Sequence, residues 1–250
     1  MDQVFPAEVP IRCMVEGDPA AAGGAPPVLL LHGFGSNHEM NWVRAGWPAA
    51  LEGRATIAPD LRGHGGSGKP HDDDAYTPER IAEDVVHVLD AVGADRVDVL
   101  AYSMGSRNAW ELALRHPHRV RRLVLAGFGP RDPFAGADLY ALERDDSPFG
   151  RLYRVAATLP GNDMEALAAC ARGQASRPFT PEPVPGAPML FAAGERDAVA
   201  EDVEELAERC GTQVVRIPKR DHATAVSARA LKEAVRDFLA VEAPAGSGGA

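Results

Sequence analysis

Short runs of aliphatic and β-branched residues alternate along this chain with longer stretches of helical period. Val28-Leu29-Leu30-Leu31 is a continuous apolar run, the pattern of a strand buried on both faces. Thr56-Ile57-Ala58, Val97-Asp98-Val99-Leu100, Leu123-Val124-Leu125-Ala126, Met189-Leu190-Phe191-Ala192 and Val214-Val215-Arg216-Ile217 predict further strands. Residues 9–15 predict one more at the N-terminal side. Between them, Thr77 followed by Pro78 reads as a helix N-cap with proline at the first helical position. Ile81, Val85, Val88, Leu89 and Val92 then form one apolar stripe, and Gly93 supplies a left-handed stop. Helices are also expected over 200–209 and 224–240, the latter facing inward through Val226, Leu231, Val235, Phe238 and Leu239. This alternation predicts an α/β fold with a mostly parallel central sheet flanked by helices.

One segment interrupts the pattern. Residues 130–187 hold no convincing strand, only short helical patterns around Leu139–Leu142, Phe149–Val155 and Met164–Ala171, then a proline-rich run. The expected organisation is a core of residues 1–129 and 188–243, a short helical cap inserted at 130–187, and a disordered tail at 244–250. Phe134, Leu139, Tyr140, Phe149, Leu152 and Tyr153 are too apolar for a fully exposed loop and are expected to line a substrate pocket.

Composition narrows the partners. The 250 residues are 45% hydrophobic and 25% charged, with a formal net charge of −10. That acidity gives no general attraction for nucleic acid or anionic lipid, so a small neutral or apolar molecule is the expected partner. No run approaches the ~18 apolar residues of a membrane helix, so no membrane insertion is expected. The three scattered cysteines, Cys13, Cys170 and Cys210, suit a reducing compartment, with Cys210 expected to pack in the core. The acidic first ten residues lack a signal-peptide pattern, which points to the cytoplasm.

Candidate chemistry follows the strand that ends at Leu100. Ala101-Tyr102-Ser103-Met104-Gly105 leads into a helical pattern that runs to His116, a strand–turn–helix context in which a central serine projects above the sheet edge. Small residues are needed two before and two after such a serine. After the first buried strand comes His32-Gly33-Phe34-Gly35, whose glycines let the chain bend close to a substrate. The backbone N–H groups of Phe34 and Met104 are the candidate pair of oxyanion donors.

These motifs, with Asp60-Leu61-Arg62-Gly63-His64-Gly65, Gly194-Glu195-Arg196-Asp197 and Asp221-His222, occur in an order that resembles the α/β-hydrolase superfamily over roughly residues 10–128 and 187–240. The glycine usual at position 101 is alanine here, as in some bacterial lipases. The resemblance implies a serine esterase or lipase-like enzyme in which Ser103 is the nucleophile, His222 its base and Asp197 the acid, with no cofactor and no metal. Asp132 and Glu195 compete for the acid role. Asp197 is favoured because one helix and one strand fit between it and His222, whereas Asp132 lies between two prolines at the entrance to the insertion. The implied activity is hydrolysis of a small carboxylic ester through an acyl-enzyme. C–C bond, lactone or thioester hydrolysis and acyl transfer are alternatives on the same residues, and a slowly turning-over ligand receptor is the alternative of another class.

Other polar residues have plainer explanations. His64 is expected to order a turn and His32 to support the oxyanion loop. His87, His116 and His118 read as helix-surface or helix-end residues. Asp72-Asp73-Asp74 reads as a solvated loop, and Glu201, Asp202, Glu204 and Glu205 as a favourable helix first turn.

Overall fold

A computed structural model describes residues 1–21 and 24–240. The tail expected at 244–250 lies outside the described residues. Among the described residues, eight strands, β1 (Asp2–Phe5), β2 (Ile11–Glu16), β3 (Val28–Leu31), β4 (Thr56–Pro59), β5 (Val97–Tyr102), β6 (Val120–Ala126), β7 (Met189–Gly194) and β8 (Val214–Ile217), form one sheet in the order β1-β2-β4-β3-β5-β6-β7-β8. β1 and β2 run antiparallel to their neighbours, and the pairs from β4 through β8 are parallel.

Helices α1 (Trp47–Ala50), α2 (Pro78–Ala91), α3 (Met104–Arg115), α4 (Pro148–Ala157), α5 (Met164–Ala175), α6 (Val203–Arg209) and α7 (Arg229–Ala240) occupy the connections. The sheet is covered on both faces, which is why its central strands read as unbroken apolar runs. On one face Leu29, Leu31, Val99 and Leu125 pack with Ile81, Val85 and Leu89 of α2, Trp110 of α3 and Leu206 of α6. On the other, Leu30, Leu100 and Val124 pack with Trp42, Trp47 and with Leu231, Val235 and Leu239 of α7.

Several boundaries differ from expectation. β1 was not anticipated: three of its four residues are exposed, so DQVF carries no alternating signal. The helix expected over 224–240 divides into a short 3₁₀ turn, Ala225–Ser227, and α7, because Ala228 takes an extended conformation (ψ 137°) between them. The pattern at 139–142 forms turns rather than a helix. Among the described residues, no helix is long and apolar enough to cross a membrane.

Because β3 lies between β4 and β5, the loops leaving β3 and β5 emerge on either side of the point where the chain reverses its direction of travel across the sheet. Ligands bind at such points, at the carboxyl ends of the strands.

Candidate active site

Strand register brings the two candidate oxyanion loops side by side. Leu31 of β3 pairs with Ala101 of β5, and Phe34 and Met104 each lie three residues further on. Ser103 links β5 to α3 with φ 55° and ψ −120°, a positive φ that a non-glycine residue adopts only at a strain cost. The turn therefore lifts the side chain out of the sheet and starts the helix at once. Met104, at the head of α3, has an N–H with no acceptor inside the helix.

The need for a small residue at 105 has a specific origin. A Cβ on Gly105 would lie 2.1 Å from Leu31 O and 2.7 Å from His32 O. It is the adjacent strand β3, closing against the helix start, that requires glycine. A Cβ on Gly33 would likewise lie 3.3 Å from the Cβ of Ser103, so the His32–Gly35 loop abuts the serine.

His222 arrives from the loop after β8. Ser103 Oγ is 3.0 Å from His222 Nε2, where the hydroxyl donates. His222 Nδ1–H in turn donates to Asp197, 2.9 and 3.0 Å from its two carboxylate oxygens. Asp197 is buried and also accepts from the backbone N–H groups of Val199 (3.0 Å) and Ala200 (3.3 Å). Close backbone approaches let the loops converge: a Cβ on Gly194 would lie 2.4 Å from Arg220 O, and one on Gly127 would lie 3.1 Å from His222 Cε1.

The competing acids lie elsewhere. Asp132 is exposed and accepts from Phe134 N–H in its own turn. Glu195 accepts from Lys219 N–H.

Residues to which the sequence assigned no role complete the setting. Tyr102, the residue before Ser103, donates its hydroxyl to His222 O (2.6 Å) and sets its ring 5.4 Å from the imidazole. An aromatic side chain beside the serine was the available signal. Asn41, in a π-helical turn (Glu39–Val43), accepts from Gly33 N–H (3.3 Å). Asp60 is a fully buried carboxylate. Burial alone would raise its pKa, but His38, through ring and backbone N–H, and Gly66 N–H together hold it at about 2.

The two flanking histidines are neutral props. His32 accepts from Leu61 N–H on Nε2 (2.9 Å), so its Nδ1–H donates to Gly33 O (2.8 Å). Burial lowers its pKa. His64 donates from Nδ1 to Arg62 O (3.0 Å), and burial, helped by the His32 ring, pushes its pKa down to about 3. The His64 ring meets Phe34 edge-on at 5.8 Å.

Residues 130–187 cover this end of the sheet. Leu142, Phe149, Tyr153, Ala156, Leu167 and Ala171 form an apolar cluster against which Phe34, Phe134, Leu139 and Leu152 pack. Phe149 lies 5.1 Å from the Phe34 ring and 4.7 Å from that of Phe134. A second small cluster, with Ala166, Ala169 and Cys170 of α5, touches Met104 as well as Phe34. Tyr140 corrects the sequence reading: it is 83% exposed, with the Arg172 guanidinium 5.3 Å from its ring centre, and faces solvent rather than a pocket. Asp73 is not merely solvated either, since it pairs with Arg172 of α5 at 2.8 Å.

Comparison with known proteins places the chain. A family model described as alpha/beta hydrolase fold matches residues 26–169. The chain is 43% identical over 101 residues to a 2-hydroxymuconate semialdehyde hydrolase of Pseudomonas putida, covering 40% of this chain and 36% of that protein. It is 39% identical over 116 residues to epoxide hydrolase 1 of Siraitia grosvenorii, covering 46% and 36%. The matched stretches thus span little more than a third of those relatives. The structure resembles that of a hydrolase from Pseudomonas aeruginosa with a TM-score of 0.78 and 26% identity, over 96% of this chain and 98% of the other. With the match to the family model covering more than half of its length, this chain belongs to the alpha/beta hydrolase fold family.

Proposed function

We propose that the chain is a serine hydrolase that cleaves a carboxylic ester, or a related acyl bond, of a small neutral or apolar substrate. The observation that carries this reading is the continuous hydrogen-bonded line Ser103 Oγ–His222 Nε2 and His222 Nδ1–Asp197. A serine hydroxyl is a weak nucleophile alone, and a base oriented by a carboxylate activates it. Ser103 Oγ attacks the carbonyl carbon as its proton passes to His222 Nε2. The oxyanion is received by the N–H groups of Phe34 and Met104. Collapse of the tetrahedral species expels the alcohol, which takes the proton back from His222. Water then repeats the sequence and releases the acid.

The similarity to epoxide hydrolases does not carry over to an epoxide substrate. A serine oxygen opening an epoxide would leave an ether on the enzyme, which water does not readily cleave, whereas an acyl-serine is hydrolysed. The similarity to a 2-hydroxymuconate semialdehyde hydrolase keeps C–C cleavage beside a carbonyl as the second reading, since it also passes through an acyl group on the serine. Residues 130–187 act in this reading as a cap whose apolar cluster, with Phe34, Phe134, Leu139, Phe149, Leu152 and Tyr153, faces the acyl chain.

A fluorophosphonate should modify Ser103, and p-nitrophenyl esters of graded length should be turned over repeatedly. Ser103→Ala should abolish both and keep the fold by circular dichroism. Modification of another serine, or one slow burst without turnover, would reject the hydrolase reading.

A further inference from the structure

Phe34 sits between two anchored carbonyls. The Gly33 carbonyl accepts from the buried His32 Nδ1–H (2.8 Å) and from Ser36 N–H (3.3 Å), which belongs to the same loop, on the Gly35–Ser36 peptide. In a trans peptide C=O and N–H point in opposite directions, so fixing the Gly33 oxygen aims the Phe34 N–H the other way. The Gly35 carbonyl is held from the other side. Asn162, in the turn between α4 and α5, donates from Nδ2 to Gly35 O (2.9 Å) and to Ala156 O (3.0 Å). Both partners are carbonyls, so the orientation of the amide is settled by its acceptors.

The same contact explains Gly35. Its φ is +67°, and a Cβ there would lie 2.6 Å from Ala156 Cβ at the end of α4. The helix end and the oxyanion loop are therefore in backbone-to-side-chain contact, tied by one side-chain amide.

The geometry points to Asn162 as a positioning residue that makes the oxyanion donor of Phe34 depend on the seating of residues 130–187 over the core. This rests on the hydrolase reading above. A substrate that fits leaves Gly35, and with it Phe34 N–H, in place. One that lifts α4 pulls the Gly35 carbonyl and misaims the donor. Fit beneath the cap is thus read out in the chemical step as well as in binding, and small misplacements at a reacting centre are costly.

The test compares the full chain with Asn162→Ala and Asn162→Asp, the second similar in size but presenting a carboxylate to both carbonyls. With p-nitrophenyl acetate, too short to need the apolar cluster, kcat should fall about tenfold in the alanine variant and further in the aspartate variant. KM should stay within about twofold, and a boronic acid that mimics the tetrahedral species should weaken in parallel with kcat. Amide hydrogen exchange over residues 30–38 should quicken in both variants while α2 and α3 stay protected. Wild-type kcat with wild-type exchange at 30–38 would overturn the proposal. So would a loss of kcat that follows only from global unfolding, with every segment exchanging faster. If the wild type turns over no ester, the hydrolase reading fails separately, and exchange at 30–38 still decides whether Asn162 anchors the loop.

Discussion

The two sides of Ser103 are made in different ways. On the core side, side chains are set by strand ends and by backbone segments in near contact, with glycines at 33, 105, 127 and 194 where a Cβ would press on a neighbour. On the side of residues 130–187, position depends on two apolar clusters, on one close approach at Gly173 of α5, where a Cβ would lie 2.3 Å from Asp73 O, and on separate polar ties, Asn162 to Gly35, Arg172 to Asp73 and Gln174 to Tyr76 O. The first arrangement has little freedom to move without breaking the sheet. The second relies mainly on side-chain contacts that can be lost without breaking the sheet, which is what the proposed function asks of a cap that admits substrate.

The largest effect should separate the triad from its neighbours. Asp197→Asn should preserve the fold and lower kcat by up to ~10⁴-fold, because the amide no longer stabilises the imidazolium. Asp132→Asn should stay within about twofold of wild type. Steady-state kinetics on one short ester checks both, and an inactive Asp132→Asn beside an active Asp197→Asn would reverse the assignment.

Next in size is the anchor of the 130–187 cluster. Phe149→Ala removes a buried ring that touches Phe34 and Phe134 and should cost about 3 kcal/mol in urea unfolding. If it unfolds this segment alone, protection from exchange should vanish in α4 before α3. Loss of both together would show that the two sides fold as one unit.

A third expectation concerns acid. The unfolded chain protonates His64 below about pH 6.5, whereas the folded protein resists until about 3. A depressed histidine pKa in the folded state means that stability is complete above about 6.5 and falls as pH drops toward 3. His32 acts in the same direction. Asp60, held at about 2, also favours the folded state at higher pH, but its contribution is lost only in the lower window between about 4 and 2. Unfolding free energy at pH 7 and 4.5 therefore spans the His64 window while Asp60 stays ionised, and protonation of His64 should remove about 2–3 kcal/mol of stability across it. His64→Phe should flatten that slope. An equally steep slope in the variant would mean that His64 is not held neutral.

The smallest effect should come from Tyr140→Ala. The ring is exposed, so stability should change by less than about 0.5 kcal/mol and ester kinetics not at all.

Phe149 and Tyr140 read alike in sequence, as apolar residues in a segment without strands. Composition says that such side chains need cover, but only their placement on turns or helices says which of them find it.

The central strands and the elbow at Ser103 were legible because each is a local pattern: an apolar run buried on both faces, a tight turn with glycine two beyond the serine, a helical stripe behind it. Spacing ranked Asp197 above Asp132, since one helix and one strand fit between Asp197 and His222, whereas Asp132 lies between Pro130 and Pro133. β1 and the break at Ala228 were not legible, because exposed edges and single extended residues leave no periodic trace. Nor were Asn162, Asn41 and Tyr102, whose partners lie 127, 8 and 120 residues away. Their contacts exist only once the loops of several strands meet, and a lone asparagine in a turn looks the same whether or not a distant carbonyl faces it. Sequence by itself thus determined the sheet, the turn that presents Ser103 and the order of the candidate triad, since these rest on short-range pattern. The tertiary structure alone decided which carboxylate meets His222, which aromatic residues are covered, and how residues 130–187 grip the His32–Gly35 loop, because each depends on packing between segments far apart in the chain.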